Sequence, residues 1–219
     1  MDQQGSGSVT KGLCRLGVIL SSDANEVEEL FERIAACRSR AAKLKKFAFR
    51  SAGVKYANEG DMISGAGASY NGGRWNPPGI LAVYASLDPI TAVKESYQGF
   101  LKFGFESASI KPRVMAGIEL NVSTLLDLTD SGVRRKIEFS YTELVSEDWH
   151  AIQSEGDESW TQAIGRGAKE AGFEGLLVPS AQNRRGENVV IYPENLLPKS
   201  VCKLMAKKDL PPHPDEWPK

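Results

Sequence analysis

The chain has 219 residues, 41% of them hydrophobic and 25% charged, with a formal net charge of -1. That length suits one well-buried domain, and a charge so near zero lacks the basic excess that phosphate tracking or an anionic lipid surface requires, which argues against nucleic-acid and membrane partners. No run reaches the roughly 18 apolar residues of a spanning helix, the start Met1 to Ser8 is polar and Gly/Ser-rich, and Cys14, Cys37 and Cys202 are too scattered for a zinc site or disulfide framework, so free thiols in a cytoplasmic protein are expected.

Residues 1–12 read as a disordered lead, because glycine and serine dominate and nothing there can form a buried face. A helical extension, packed on the domain, is predicted over 13–46. Asp23 or Asn25 caps it, Val27, Leu30, Phe31, Ile34 and Ala35 recur at helical spacing, and the basic run Lys43-Leu44-Lys45-Lys46 suits its C-terminus. The domain proper is expected over 47–205. Phe47-Ala48-Phe49-Arg50 predicts a short strand with both rings on one side and Ala48 and Arg50 on the other, so that a rigid element positions Arg50. Gly65-Ala66-Gly67 superficially resembles a dinucleotide fingerprint but joins no strand to a helix and lacks the third glycine.

The stretch Gly72-Gly73-Arg74-Trp75-Asn76-Pro77-Pro78-Gly79 is the most informative in the chain. Its glycines and paired prolines impose an unusual backbone path around one guanidinium, one indole and one amide, a costly arrangement for a mere connection. A buried strand, Ile80 to Ala85, is predicted next, then a helix with Asp88 as N-cap and Pro89 as its first residue. The face carrying Ile90, Val93 and Tyr97 is expected to meet the core, leaving Glu95 at its border, able to face the loop of Arg74.

Further strands are predicted at Val114–Leu120, Gly175–Val178, Val189–Tyr192 and Val201–Met205, and helices at Ser131–Phe139, Thr142–Gln153 and, most clearly, Trp160–Ala171 with Gly172 beyond its end. Residues 206–219 form a C-terminal tail whose proline-rich part is irregular. Helices and strands mix without strict alternation, which predicts a single α+β domain: a central mixed, partly antiparallel sheet with flanking helices.

His150 and His213 are too isolated for a catalytic dyad, and His150 beside Trp149 reads as a half-buried packing residue. Arg134-Arg135-Lys136 and Arg184-Arg185 read as solvated faces. Arg50 and Arg74 differ from these, since one leaves a strand and the other a glycine-hinged loop, so both can converge on a pyrophosphate through forked, charge-assisted hydrogen bonds. Val178-Pro179-Ser180 ends a buried strand with a hydroxyl, and Asn188 begins the next strand; either is also compatible with plain turn chemistry.

Arg50, Tyr56-Ala57-Asn58, the run from Gly65 through Gly79 with Tyr70-Asn71-Gly72-Gly73-Arg74-Trp75-Asn76, then Tyr84, Glu95 and Leu177-Val178-Pro179-Ser180 together resemble the RES domain, a family named for its Arg, Glu and Ser. The resemblance spans roughly Phe47 to Leu197. It implies a fold similar to ADP-ribosyltransferase toxins, NAD as substrate rather than cofactor, and an Xre-like antitoxin protein as partner. On that basis Glu95, Arg50 and Ser180 are the expected catalytic residues, and Arg74, Tyr70, Tyr84, Tyr56 and Asn188 the expected substrate-binding ones, with no metal. Glu95 would favour the positive charge that grows on the ribose as nicotinamide leaves. Tyr70 or Tyr84 would stack on the nicotinamide, and Ser180 and Asn188 would orient ribose or amide. Water as acceptor gives a glycohydrolase, phosphate a phosphorylase and a protein side chain an ADP-ribosyltransferase; a binding module without turnover is a further alternative.

Overall fold

The computed structural model describes residues 24–102 and 113–212, with residues 98–102 as backbone only. The helices are α1 (Ala24–Ala35), α2 (Glu59–Ser64), α3 (Ala66–Asn71), α4 (Pro89–Lys102), α5 (Ser131–Lys136), α6 (Tyr141–Ser146), α7 (Trp149–Ser154) and α8 (Trp160–Glu170). The strands are β1 (Ala42–Gly53), β2 (Val83–Ser86), β3 (Arg113–Asp127), β4 (Gly175–Pro179), β5 (Glu187–Ile191) and β6 (Val201–Leu204).

The six strands form one sheet in the order β1-β2-β5-β4-β3-β6, and β1 also pairs with β3, so the sheet curls back on itself. All pairings are antiparallel except β3 with β4. This is the mixed α+β architecture expected from the order of elements. Two apolar clusters fill it, and β5 shows how the pleat feeds both: Val189 and Ile191 pack with Leu44, Ala48, Ile118 and Leu125 on one face, while Val190 and Tyr192 pack with α8, Phe173 and Leu176 on the other. α1 joins the second cluster through Leu30 and Ile34, both fully buried. Each such side chain contributes about 1.5–3 kcal/mol by leaving water.

Several boundaries differ from the expectations. The N-terminal helix stops at Ala35, and Lys43 to Lys46 lie in β1, with Leu44, Lys45 and Lys46 opposite Val122, Asn121 and Leu120 of β3 and Lys43 at a register shift. Leu44 is buried while Lys43, Lys45 and Lys46 are exposed, so the run that suits a helix end instead lines the outside of a strand. Within β1 it is Ala48 that is buried, and Phe47 is 55% exposed. β2 starts at Val83, since Ile80 to Ala82 still belong to the loop. The helix predicted over Thr142–Gln153 is two helices, α6 and α7, interrupted at Glu147 and Asp148, and Asp148 accepts from the Ala151 amide to cap the second. α2 and α3 were not anticipated; Asn58 caps α2, and Gly65, at φ +75° and with Ala82 N only 2.5 Å from where a Cβ would lie, is the hinge between them.

Cys37 and Cys202 are free thiols, and Cys14, His213 and the lead over 1–12 lie outside the described residues, as does the tail beyond Pro212. Among the described residues no helix is long and apolar enough to cross a membrane.

Candidate active site

The Gly72–Gly79 loop is built around one amide. Gly73 and Asn76 exchange backbone hydrogen bonds, so Arg74 and Trp75 occupy the tip of a tight turn. Asn76 is fully buried; its Nδ2 donates to the carbonyls of Ala68, Pro77 and Ile80 at 2.9, 3.1 and 3.1 Å, and its Oδ1 accepts from the Tyr84 hydroxyl at 2.7 Å. Tyr84 Oη in turn accepts from the Trp75 amide at 2.9 Å. A Cβ on residue 73 would come within 2.5 Å of that hydroxyl, which explains the second glycine. From below, α8 supports the turn: Gln162 Nε2 donates to Gly73 O at 3.2 Å, and Gly165 lies so close to Trp75 O that a Cβ there would approach it to 1.8 Å.

The loop forms one wall of a cleft of about 550 Å³ whose lining includes Arg50, Arg74, Trp75, Tyr84, Glu95, Trp149, His150 and Asn188. Glu95 is reached by two hydrogen bonds, from Ser180 Oγ at 2.6 Å and from Asn188 Nδ2 at 2.7 Å, both to Oε1. Asn188 Oδ1 accepts from Ser86 Oγ at 2.7 Å, so the amide is oriented before it meets the carboxylate. Asp88 caps α4 by accepting from the Thr91 amide at 2.8 Å, and this fixes the helix phase. The phase is the reverse of the expected one. Ile90 and Val93 are 65% and 44% exposed, Tyr97 is half-buried, and Thr91, Ala92, Glu95 and Ser96 form the inward stripe. Glu95 therefore sits on the inner face rather than at its border.

Arg50 donates to Tyr84 O at 2.8 Å, while its Nε is buried with no hydrogen-bond partner among the described residues. Burial lowers its pKa, and the neighbouring Arg113 lowers it further. Arg113 is itself held by Ser51 through its Oγ and carbonyl at 3.0 and 2.9 Å. Arg74 Nη1 donates to Leu144 O and Glu147 O at 3.2 and 3.0 Å, at the end of α6. Burial lowers its pKa as well, with Glu147 and Glu95 opposing. Two guanidiniums at a desolvation cost thus share a cleft with Glu95, Glu147 and Asp148.

Of the residues singled out in the sequence, Arg50, Arg74, Tyr84, Glu95 and Asn188 meet in this cleft, and three do not line it. Ser180 is 2% exposed; its hydroxyl donates to Glu95 and accepts from the amides of Gln182 and Asn183, so it orients the carboxylate instead of facing a ligand. Tyr70, on α3, is 87% exposed, on the outward side of a short helix that it shares with Ala66, Gly67 and Asn71. Tyr56 is 53% exposed in the single 3-10 turn after β1, beside Lys55. Tyr84 keeps its place, but its hydroxyl is committed to the loop and burial raises its pKa. His150, expected as packing, is exposed at the cleft lining, edge-on to Trp149 with ring centroids 5.5 Å apart. Arg134 is not a simple solvated residue either, since it donates to Leu128 O and Thr129 O.

Sequence reasoning missed the wall from Ser146 to His150 and the buried Glu147. Glu147 accepts from the amides of Trp160 and Thr161 at 2.9 and 2.8 Å and from Thr161 Oγ1 at 2.6 Å, closing the N-terminus of α8, while its own carbonyl holds Arg74. The signal lay in the adjacent acids Glu147-Asp148, which interrupt an otherwise helical pattern.

No curated protein matches the chain. Among solved structures, it is similar to a chain of the crystal structure of the M. tuberculosis MbcT-MbcA toxin-antitoxin complex, with a TM-score of 0.62 and 25% sequence identity over 80% of this chain and 90% of that one. The RES domain family matches residues 47–210, the span that holds the curled sheet, the Gly72–Gly79 turn and every residue of the cleft, and the protein belongs to the RES domain family.

Proposed function

We propose that the protein is the toxin of a toxin-antitoxin pair and that it acts by breaking the bond between nicotinamide and ribose in NAD. The observation that carries the reading is the meeting of Glu95, oriented by Ser180 and Asn188, with Arg50 and Arg74 in one cleft. A dinucleotide brings a pyrophosphate and a ribose whose cleavage passes through an oxocarbenium-like state. The guanidiniums suit the first, and the carboxylate suits the second.

Both hydrogen bonds to Glu95 end on Oε1, so Oε2 is uncommitted among the described residues. It is the oxygen to accept from a ribose hydroxyl or to face the cation as the C–N bond lengthens. The bonding electron pair leaves with nicotinamide, which departs neutral, and the acceptor oxygen then forms the new C–O bond to the sugar, giving up its proton, where it carries one, to solvent. Arg50 Nε, buried with no hydrogen-bond partner among the described residues, is a donor available to a phosphate oxygen. Water or inorganic phosphate is the acceptor in this reading, and a protein side chain is the alternative.

Likeness to a chain of a toxin-antitoxin complex supports a partner protein that restrains this one, and an Xre-like protein is the partner we propose from the sequence resemblance. The decisive experiment incubates purified protein with NAD, with and without phosphate, and identifies nicotinamide and the ribosyl product by mass. Free nicotinamide with ADP-ribose or its 1''-phosphate supports the reading and names the acceptor. Loss of NAD only when a protein target is added transfers the assignment to ADP-ribosylation, and no loss under any condition leaves a binding module.

A further inference from the structure

We infer that Ser51 and Ser96 are positioning residues for the reaction: their hydrogen bond closes a ring of links around the floor of the cleft and so holds the helix of Glu95 against the strand of Arg50. The inference rests on the NAD reading above. β1 and β2 pair at a single position, Phe49 opposite Ser86, so the ladder between them stops before Tyr84. Arg50 takes over there, with Nη1 donating to Tyr84 O at 2.8 Å. Two residues along β2, Ser86 Oγ donates to Asn188 Oδ1 at 2.7 Å, and Asn188 Nδ2 donates to Glu95 Oε1, also at 2.7 Å. Ser96 follows Glu95 on α4 and donates through Oγ to Ser51 Oγ at 3.0 Å, and Ser51 follows Arg50 on β1. The path thus returns to its origin, and every residue that makes one of its links lines the cleft.

The links are not equivalent. α4 is tied to the β4–β5 side by Ser180 and Asn188 at Glu95 and by Asn183 at Thr91. Toward β1, its hydrogen bond among the described residues is that of Ser96. Ser51 is a firm abutment for it, because on its other side Arg113 of β3 donates through Nε to Oγ at 3.0 Å and through Nη2 to the carbonyl at 2.9 Å. Arg113 and Ser96 together fill both lone pairs of the Ser51 hydroxyl, which fixes it as an acceptor. A substrate that reaches from a pyrophosphate at Arg50 to a ribose at Glu95 needs those two groups at a constant spacing, since a misplacement of about 1 Å can cost about 10²-fold in rate. Without the serine link both groups keep their own hydrogen bonds, but α4 is free to move away from β1.

The test compares Ser96→Ala, Ser51→Ala and the double variant. Ser96→Ala is the cleaner single change, because both bonds from Arg113 to Ser51 stay in place. Each single variant is expected to lower kcat for nicotinamide release about tenfold, and the double variant no further. Inhibition by ADP, which carries the pyrophosphate but no second ribose, should be unchanged. Amide hydrogen exchange, followed by mass spectrometry without ligand, should rise about threefold over Thr91 to Ser96 in all three variants. A wild-type kcat in either single variant overturns the positioning role. So do losses that multiply in the double variant, or weaker inhibition by ADP, because each hydroxyl would then touch the substrate on its own account. Exchange over α4 equal to wild type overturns the link itself, whatever the ligand. If the wild-type protein releases no nicotinamide while exchange rises as expected, the NAD reading fails and the link between α4 and β1 stands.

Discussion

Glu95 receives two hydrogen bonds on a single oxygen, and this asymmetry separates its neighbours' roles. Replacing the carboxylate by an amide keeps the shape and much of the binding but removes the charge that answers the growing cation, so Glu95→Gln is expected to lower kcat by about 10²–10³-fold or more with KM changed little. Nicotinamide release at the wild-type rate would refute the assignment. Ser180→Ala frees Glu95 and the turn whose Gln182 and Asn183 amides the hydroxyl holds: about a tenfold fall in kcat with little change in KM is expected, since the hydroxyl itself is buried away from the cleft. A matching rise in KM would return Ser180 to the substrate. Arg50→Ala should show the opposite pattern, a KM raised about tenfold or more, because the pyrophosphate loses a charged donor. Arg50 and Arg74 stood out in the sequence because a strand end and a glycine-hinged loop are unusual settings for a guanidinium, whereas the roles expected of Glu95 and Asn188 came from the family resemblance, a helix carboxylate and a strand-end amide being ordinary where they stand. Tyr70 and Tyr56 were misjudged because an aromatic ring near a glycine-rich run says nothing about which side of a short helix it will occupy.

At the scale of elements, the break between α6 and α7 does more for the site than any strand. Glu147 leaves helical geometry there, with ψ 130°, sends its carboxylate to the first amides of α8 and presents its carbonyl to Arg74. One residue thus satisfies the unpaired donors of one helix and fixes the direction of a guanidinium. Glu147→Ala is expected to destabilise the fold by about 1–3 kcal/mol, since buried amides lose a charged acceptor. Alanine keeps the backbone carbonyl that holds Arg74 but frees it from the side-chain anchor on α8, so KM for NAD should rise in the same variant, and thermal unfolding together with steady-state kinetics tests both. A melting temperature equal to wild type would show that water replaces the carboxylate. This break escaped sequence reading because Val145, Trp149 and Ile152 keep a helical spacing across it, and only the tertiary partner at Trp160 and Thr161 makes leaving the helix favourable. α4 misled for a related reason. Among its residues with described side chains, Ile90 and Val93 face outward, while the inward stripe is small and polar because it borders a cleft rather than a core. Hydrophobic periodicity reports cores, and a functional face departs from it.

Closure of the whole molecule depends on a second buried carboxylate, remote from the chemistry. Glu174 is 0% exposed where α8 gives way to β4; its Oε2 accepts from the amides and hydroxyls of Ser123 and Thr124 in β3, and its Oε1 from the Leu197 amide ahead of β6. The backbone joins in, with the Glu174 amide donating to Thr124 O and its carbonyl accepting from the Tyr192 amide, so three parts of the sheet meet at one side chain. Burial pushes the carboxyl's pKa upward, but hydrogen bonds from Ser200, Ser123, Thr124 and Leu197 win and hold it below the ordinary glutamate value of 4.5. A folded-state pKa below the unfolded one means that folding favours the ionised form. The stabilisation is complete above the unfolded value and disappears as the pH falls through the lower, folded one. Denaturant titrations from neutral pH downward should therefore show wild-type stability declining below about pH 4.5, in the window set by the ordinary value. Glu174→Gln should be less stable at neutral pH by about 1–3 kcal/mol, because its amide nitrogen meets donors instead of accepting from them. Its stability should also lose the share of the acid dependence that Glu174 supplies. A variant that falls as steeply as wild type across that window would mean that other carboxylates carry the acid sensitivity, and that the sheet is closed by apolar packing alone.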